Sequence, residues 1–399
     1  MKKGIVLFFV LLISTFLVFA VSAEETLAVG SKGDDVLEMK RRLQELRYIK
    51  DGSLTKKFTD QTQTSLSEFQ RMNGLNETGV LDAETRELLF SDAAVSKPYP
   101  TMRPLATLPP SELPEGAALD SEGFLIGDGE LSEENEEEGR WVYISRDLRV
   151  TISRGEDSSI PLVWFETDIR TRNGQAFRTV MTDSDHPGKK FQYPYVIAER
   201  EQFVLGFSDD FYAERMAHHE TVGIIIRNGV IISDRTNQKS GHHLPNLDMM
   251  AQYPDGTLMT YPCNEYTAEE LLEKGAVNVF SFGPVLLHEG RINEMVYSYF
   301  RSIEPRQALG MIEPNHYLLI SVQGRTSFSK GTALQRVAEM MKESGVTEAL
   351  NLDGGNTMAL IFRGKMINKM ANYRNRKFVR AVTSLIGIGY TEIPADQGK

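Results

Sequence analysis

From Trp141 to Tyr390 the chain alternates apolar and polar residues in short runs that end on Gly, Asn-Gly or Asp, and this period of two dictates strands and hairpins. Runs such as VYISRDLRVTISR, TVGIIIRNGVIIS and HYLLISVQG send successive side chains to opposite faces, so that one face buries while the other meets solvent. One stretch keeps a helical period instead. In GTALQRVAEMMKESGV, Leu334, Val337, Ala338 and Met341 share a face, Thr332 and Gln335 have the spacing of a capping box, and Gly345 supplies the stop. The fold expected is therefore α+β: a large mixed β-sheet domain with few helices over residues 141–390, preceded by a small three-helix bundle.

That bundle is read over residues 27–91. Val36, Leu37, Leu43 and Leu46 recur at helical spacing behind Gly33-Asp34, Leu66 and Phe69 behind Thr59-Asp60, and Leu88 and Leu89 behind Asp82, with Gly52, Gly74 and Gly79 closing the turns. Ahead of it, MKKGIVLFFVLLISTFLVFAVSA puts two lysines before an apolar run and small residues at its end, which predicts a secretory signal over residues 1–23. An uncleaved anchor is the alternative, and only through it would the chain touch a membrane. Either way the remainder is exported, to the extracellular space or the cell wall.

Residues 92–140 join the two domains. They are Pro-rich first and acidic later, without periodicity, and such composition buries too little apolar surface to offset its ordering entropy, so a solvated spacer is expected. Within it, residues 112–138 hold eleven Asp or Glu and no Lys or Arg, which equals the net charge of −11 of the whole chain. No basic stripe remains for nucleic acid. Cys263 is the only cysteine, so no intramolecular disulfide forms, and its TYPCNEY setting lacks an activating His and suits a small buried side chain. His218-His219 and His242-His243 invite a zinc reading, but adjacent strand residues point to opposite faces and no acidic third ligand is evident. No cofactor motif is present, and a divalent cation held by Asp and carbonyl oxygens stays an open alternative.

Around the helix the order is strand 317–323, loop GRTSFSKG, helix, strand 348–352 and the turn DGGN. If the two strands pair in parallel, Arg325 and Ser329 enter the helix start at the same sheet edge from which Asp353 emerges, where parallel units bind ligands. An Arg beside helix N–H groups makes an anion site. Gly354 and Gly355 allow close backbone approach and turn further N–H groups toward the same anion. A plain turn in which Asp353 bonds its own backbone fits the same letters.

These motifs carry two resemblances. Residues 27–91, with GSKGDDV, LQELRYI, FQRMNGL and GVLDAET, resemble the three-helix type of peptidoglycan-binding domain. The run from Pro305 to Asn368, with FSFGPVLLHEGRI before it and Arg380 after it, resembles the phosphodiester glycosidase family related to the enzyme that uncovers mannose 6-phosphate by removing N-acetylglucosamine. On that resemblance the family's Arg before the apolar-Gly strand falls on Arg306, its strand-end Arg on Arg325, its Ser-x-Gly on Ser329 and Gly331, and its Asp-Gly-Gly on Asp353, Gly354 and Gly355. Two departures stand out. Asn356 and Thr357 follow where Gly-Ser is usual, and LGFSDDFY puts Asp209 and Asp210 where Asn and Gly are common.

The resemblance implies hydrolysis of a sugar-1-phosphodiester, of the α-N-acetylglucosaminyl type, at the anomeric C–O bond. Arg306, Arg325 and Arg380 would grip the phosphate; Asp353 would serve as nucleophile, base or electrostatic stabiliser; Asp209 or Asp210 would be the second carboxylate. The implied partners are peptidoglycan and a glycan or wall-polymer phosphodiester. Two rival readings remain on sequence alone: a wall-binding protein with a degenerate site, and a peptidoglycan amidase or peptidase.

Overall fold

The computed structural model describes residues 26–49, 54–97 and 113–391, apart from residues 158, 173, 210, 212, 241–243, 370, 374 and 375. The expected signal segment 1–23 lies outside them. The chain divides into two compact units, Met1–Lys97 and Pro98–Lys399.

The first unit contains α1 (Asp34–Glu45), α2 (Asp60–Met72) and α3 (Ala83–Leu89), each starting where the sequence places its cap. The Thr59 side chain accepts from Thr62 N, and Asp82 Oδ1 accepts from Thr85 N at 2.8 Å, so N–H groups at both helix starts are satisfied. Val36, Met39, Leu43, Leu66, Phe69 and Leu89 are fully buried against one another. Buried Gln70 ties the loop before α3 to α2: its Nε2 donates to Thr78 Oγ1, Val80 O and Thr85 Oγ1, each at 3.0 Å, and its Oε1 accepts from Gly79 N at 2.8 Å.

The second unit opens with β1 (Glu130–Asn135), β2 (Arg140–Ser145), β3 (Leu148–Asp157), β4 (Leu162–Thr171) and β5 (Arg178–Met181). After α4 (Pro194–Arg200) come β6 (Leu205–Phe207), α5 (Ala213–His218), β7 (Gly223–Arg227), β8 (Val230–Arg235) and α6 (Asn237–Ser240). Then follow β9 (Asp248–Gln252), β10 (Leu258–Tyr261), α7 (Ala268–Glu273), β11 (Asn278–Phe282), β12 (Val285–His288), β13 (Arg291–Ile292) and α8 (Met295–Ser298). The last part holds β14 (Arg306–Glu313), β15 (His316–Val322), α9 (Leu334–Glu343), β16 (Glu348–Leu352), β17 (Leu360–Phe362), β18 (Lys365–Met366), β19 (Asn372–Tyr373), β20 (Arg376–Lys377) and β21 (Ser384–Ile388).

The strands form a nine-stranded sheet in the order β1-β2-β3-β4-β15-β14-β16-β12-β13 and two five-stranded sheets, β10-β9-β11-β7-β8 and β18-β17-β6-β21-β5, with β19 and β20 paired apart. The class is α+β as expected, but among the described residues every pairing of these strands is antiparallel rather than mixed. Phe177 joins the three large sheets. Its ring meets Phe207 of β6 at 5.9 Å, Phe280 of β11 at 6.4 Å and Tyr317 of β15 at 5.1 Å between centroids. The opposite face of the nine-stranded sheet is covered by α9, through Leu334, Val337, Ala338 and Met341 against Ala308, Leu318 and Ile320. The capping box expected at Thr332 and Gln335 does not form, because Ala333 is the N-cap and the Thr332 backbone is paired with Glu304.

The expected spacer is corrected at both ends. Lys97 N donates to Leu46 O at 2.9 Å and Tyr48 Oη to Val95 O at 2.8 Å, so residues 94–97 pack on the helical bundle. Residues 113–140 belong to the second unit, where Leu113, Ala117 and Leu119 pack on Leu125, Val142 and Ile144, and β1 pairs along its length with β2. Within this acidic tract Glu133 meets Arg140 of the neighbouring β2, and the other acids meet cations distant in sequence: Glu130 meets Arg363 at 3.2 Å, Glu134 meets Lys365 at 3.2 Å and Glu136 meets Lys369 at 2.9 Å.

Glu166 on β4 is 6% exposed, and burial pushes its carboxyl up to about 7, partly offset by a hydrogen bond donated by Trp164 Nε1. A raised carboxyl favours folding while protonated, so this contribution is complete below the unfolded value and disappears as pH rises through about 7. Glu166→Gln, which keeps the acceptor, is expected to raise stability at pH 8 by an amount on the order of 3 kcal/mol and to change little at pH 4. Urea unfolding at the two pH values checks this; equal effects at both would contradict it.

Candidate functional site

The sequence placed Arg325 and Asp353 at one edge on the condition that β15 and β16 pair in parallel. Instead β14 lies between them and is antiparallel to both, with Arg306 opposite Val322 and Gln307 opposite Leu352. The C-terminal ends of β15 and β16 still reach the same edge, now with the start of β14 between them. The end of β6 and the start of β21 join the edge, since Ile386 of β21 faces Phe207 of β6. Buried Gln307 links the layers: its Oε1 accepts from Ser208 N at 2.9 Å, and its Nε2 donates to Ser321 Oγ at 2.8 Å and Ala359 O at 3.0 Å.

The turn after β16 is built by close backbone approach. A Cβ on Gly354 would collide with the Pro305 carbonyl, and Gly355 N donates to that same oxygen at 3.0 Å. Asp353 N donates to Asp209 O at 3.2 Å. The Asp209 side chain is 2% exposed and accepts a hydrogen bond from the Ser384 hydroxyl at the start of β21. Asn356, which departs from the family pattern, is an anchor: its Nδ2 donates to Ala371 O at 2.9 Å and Phe378 O at 3.1 Å, its carbonyl accepts from Arg380 N at 2.9 Å, and its Oδ1 accepts from Arg325 Nη1 at 2.6 Å.

Arg325 adopts a left-handed backbone with φ of 56°, a conformation that L residues reach at a cost of roughly 1–3 kcal/mol. Its Nε donates to Glu304 Oε2 at 2.7 Å, and its guanidinium lies against the turn, where a Cβ on Gly355 would come within 3.5 Å of Nη1. Arg306 turns the other way. Its Nη2 donates to Ser302 O at 2.7 Å and its Nε to Thr332 O at 3.3 Å, and burial pulls its guanidinium down to about 10, with Arg325 adding to the effect and Glu304 opposing it.

Asp353, Asp209, Gly354, Gly355, Asn356 and Arg325 therefore converge, with Arg380 attached through its backbone and Arg306 holding the flanking loop. Ser329 does not join them as a ligand. It is fully buried, its hydroxyl donating to Gln323 O at 2.6 Å and accepting from Val163 N at 3.0 Å. Gly331, with φ of 100°, is required because a Cβ there would strike the Glu304 backbone. Asp210 and the His242-His243 pair lie outside the described residues. Sequence reading missed Glu304 and Ser384; Glu304 carried one signal, an acid two residues before a candidate arginine. A shallow recess beside the turn is lined by Pro305, Gly324, Gly355, Asn356, Lys369 and Phe378.

Other candidate groups lie elsewhere. The His219 ring packs on Phe191 at 5.9 Å, and Cys263 is half-buried with its thiol pushed up by burial. Among the described residues no three His, Cys, Asp or Glu side chains converge as a metal set, and no helix is long and apolar enough to cross a membrane.

Residues 201–389 match the family model described as phosphodiester glycosidase, and residues 32–89 match that of a peptidoglycan binding domain. The chain thus carries a phosphodiester glycosidase domain behind a domain of the peptidoglycan-binding class. A curated relative, the SPbeta prophage-derived uncharacterized protein YomE of Bacillus subtilis (strain 168), is 27% identical over 180 residues, which are 44% of this chain and 27% of the relative. The match thus spans about a quarter of that relative's length. Among solved structures, the catalytic domain of zebrafish N-acetylglucosamine-1-phosphodiester alpha-N-acetylglucosaminidase, auto-inhibited by pro-peptide, is 18% identical with a TM-score of 0.49, covering 66% of this chain and 88% of that one. A hypothetical protein from Synechocystis is 13% identical with a TM-score of 0.42, covering 61% of this chain and 62% of that one.

The buried bonds of Ser329 predict a structural phenotype. Ser329→Ala strands the Val163 N–H and is expected to lower unfolding free energy by about 1–3 kcal/mol. Denaturant titration checks it, and a variant as stable as the parent would return Ser329 to the list of ligand candidates.

Proposed function

We propose that the second unit hydrolyses a sugar-1-phosphodiester at the anomeric C–O bond, that the chain is secreted, and that its first unit holds it on peptidoglycan so that glycan phosphodiesters of the wall are the substrate. The observation that carries this reading is the Arg325 guanidinium, fixed at Nε by Glu304 and at Nη1 by Asn356, beside the Gly354-Gly355 turn that follows Asp353. A fixed cation and a glycine turn suit a phosphate, and a half-buried carboxylate next to them suits the cationic sugar that forms as the bond breaks.

In the proposed reaction the bond from the anomeric carbon to the bridging oxygen breaks and its electron pair stays on the phosphate, which leaves as a phosphomonoester. Water adds its oxygen to the anomeric carbon and gives its proton to a carboxylate or to solvent. The departing phosphate is a weak base, so a strong general acid matters less than in an ordinary glycosidase. The remaining demands are to grip the phosphate, assigned to Arg325 with Arg380 as a neighbour, and to offset positive charge on the ring, assigned to Asp353. Asp209, buried and bonded by Ser384, holds the Asp353 backbone in place.

The purified chain should release free sugar together with a nucleoside diphosphate from a nucleoside diphosphate sugar, or together with a phosphomonoester from cell wall. Asp353→Asn should lower kcat by roughly 10²–10⁴-fold while leaving the unfolding midpoint in place. Turnover unchanged in the variant would remove Asp353 from the reaction.

A further inference from the structure

We infer that Glu304 is a positioning residue for anion binding: it acts through Arg325, holding that guanidinium against the turn that follows Asp353. The inference rests on the proposed reading of this edge as a phosphate site.

Three observations combine. Glu304 Oε2 accepts from Arg325 Nε at 2.7 Å while Asn356 Oδ1 accepts from Nη1 at 2.6 Å, so the guanidinium is tied at Nε and at Nη1 and the plane of the fork is set from both sides. The backbone under Arg325 is strained at φ of 56° and held there by its own bonds: its N–H donates to Lys330 O at 3.3 Å, and its carbonyl accepts from Asn372 N at 3.0 Å. Strain of this kind persists only where the surroundings fix it, and it clusters where a side chain must be aimed. Glu304 itself is fixed by backbone bonds in both directions with Thr332, at 3.2 Å and 3.0 Å, and it adjoins Pro305, whose carbonyl receives the Gly355 N–H. Acid, arginine and glycine turn thus share one rigid frame.

A carboxylate next to an anion site has two opposing effects. Its charge repels the phosphate, so a purely Coulombic role predicts tighter phosphate binding when it is neutralised. Its bond to Nε orients the fork, so a positioning role predicts weaker binding. Both groups of the pair are about one-third exposed, at 29% for Arg325 and 33% for Glu304, which screens the Coulombic part and leaves orientation as the larger effect.

The test is a double-mutant cycle with Glu304→Gln, Arg325→Ala and the combined variant, measuring inorganic phosphate binding by calorimetry and kcat and KM on a sugar-1-phosphodiester. Glu304→Gln should weaken phosphate binding and lower kcat/KM by about tenfold in the parent, and should change neither once Arg325 is absent. Glu304→Asp, which keeps the charge on a shorter arm, should recover part of the loss, and it also serves if the Gln variant folds poorly. Tighter phosphate binding in Glu304→Gln, effects that add in the combined variant, or a parent that binds no phosphate would each overturn the inference. A parent that binds phosphate and obeys the cycle without turning over substrate would instead remove the proposed reaction and leave the positioning role standing.

Discussion

The candidate site depends on how closely the chain at Pro305 approaches the turn after Asp353. The Pro305 carbonyl receives the Gly355 N–H and leaves no room for a side chain on Gly354. This contact is possible because β14 is paired on one side with the strand that ends before Arg325 and on the other with the strand that ends before Asp353. Arg325, Glu304, Asn356 and Asp353 are brought together by strand register rather than by a flexible loop, and side chains placed in this way keep their geometry with little reorganisation.

Packing supplies the rigidity beneath that edge. The Phe177 ring ties together strands from three sheets, and Gln307 bonds to both layers directly under the site, so neither the β6 edge nor the β14 edge can shift alone. On the outer face, α9 covers the same strands. The strain at Arg325 is sustained by this framework.

Much of the fold was legible in local sequence. The caps at Gly33, Thr59 and Asp82 mark the three helices of the first unit, and period-two alternation marks most strands of the second. What could not be read is what depends on distant partners. The acidic tract looked like a spacer because its neutralising cations, Arg363, Lys365 and Lys369, lie more than two hundred residues away, and pairing with them and with β2 makes it an edge strand. Insertion of β14 between β15 and β16 was hidden for the same reason, since apolar alternation fixes which face is buried but not which strand is the neighbour. At the site, Asp353, Gly354, Gly355 and Arg325 stood out as chemistry at motif spacing. Ser329 stood out equally but spends its hydroxyl on Gln323 and Val163, and Glu304 became visible only when its distance to Arg325 was known.

In the proposed reaction the bond broken lies between sugar and oxygen, with the phosphate as leaving group. Hydrolysis of a sugar-1-phosphodiester in water enriched in oxygen-18, followed by mass analysis of both products, tests it directly. The label is expected in the sugar at its anomeric position and not in the phosphomonoester; label in the phosphate would mean attack at phosphorus and would contradict C–O cleavage.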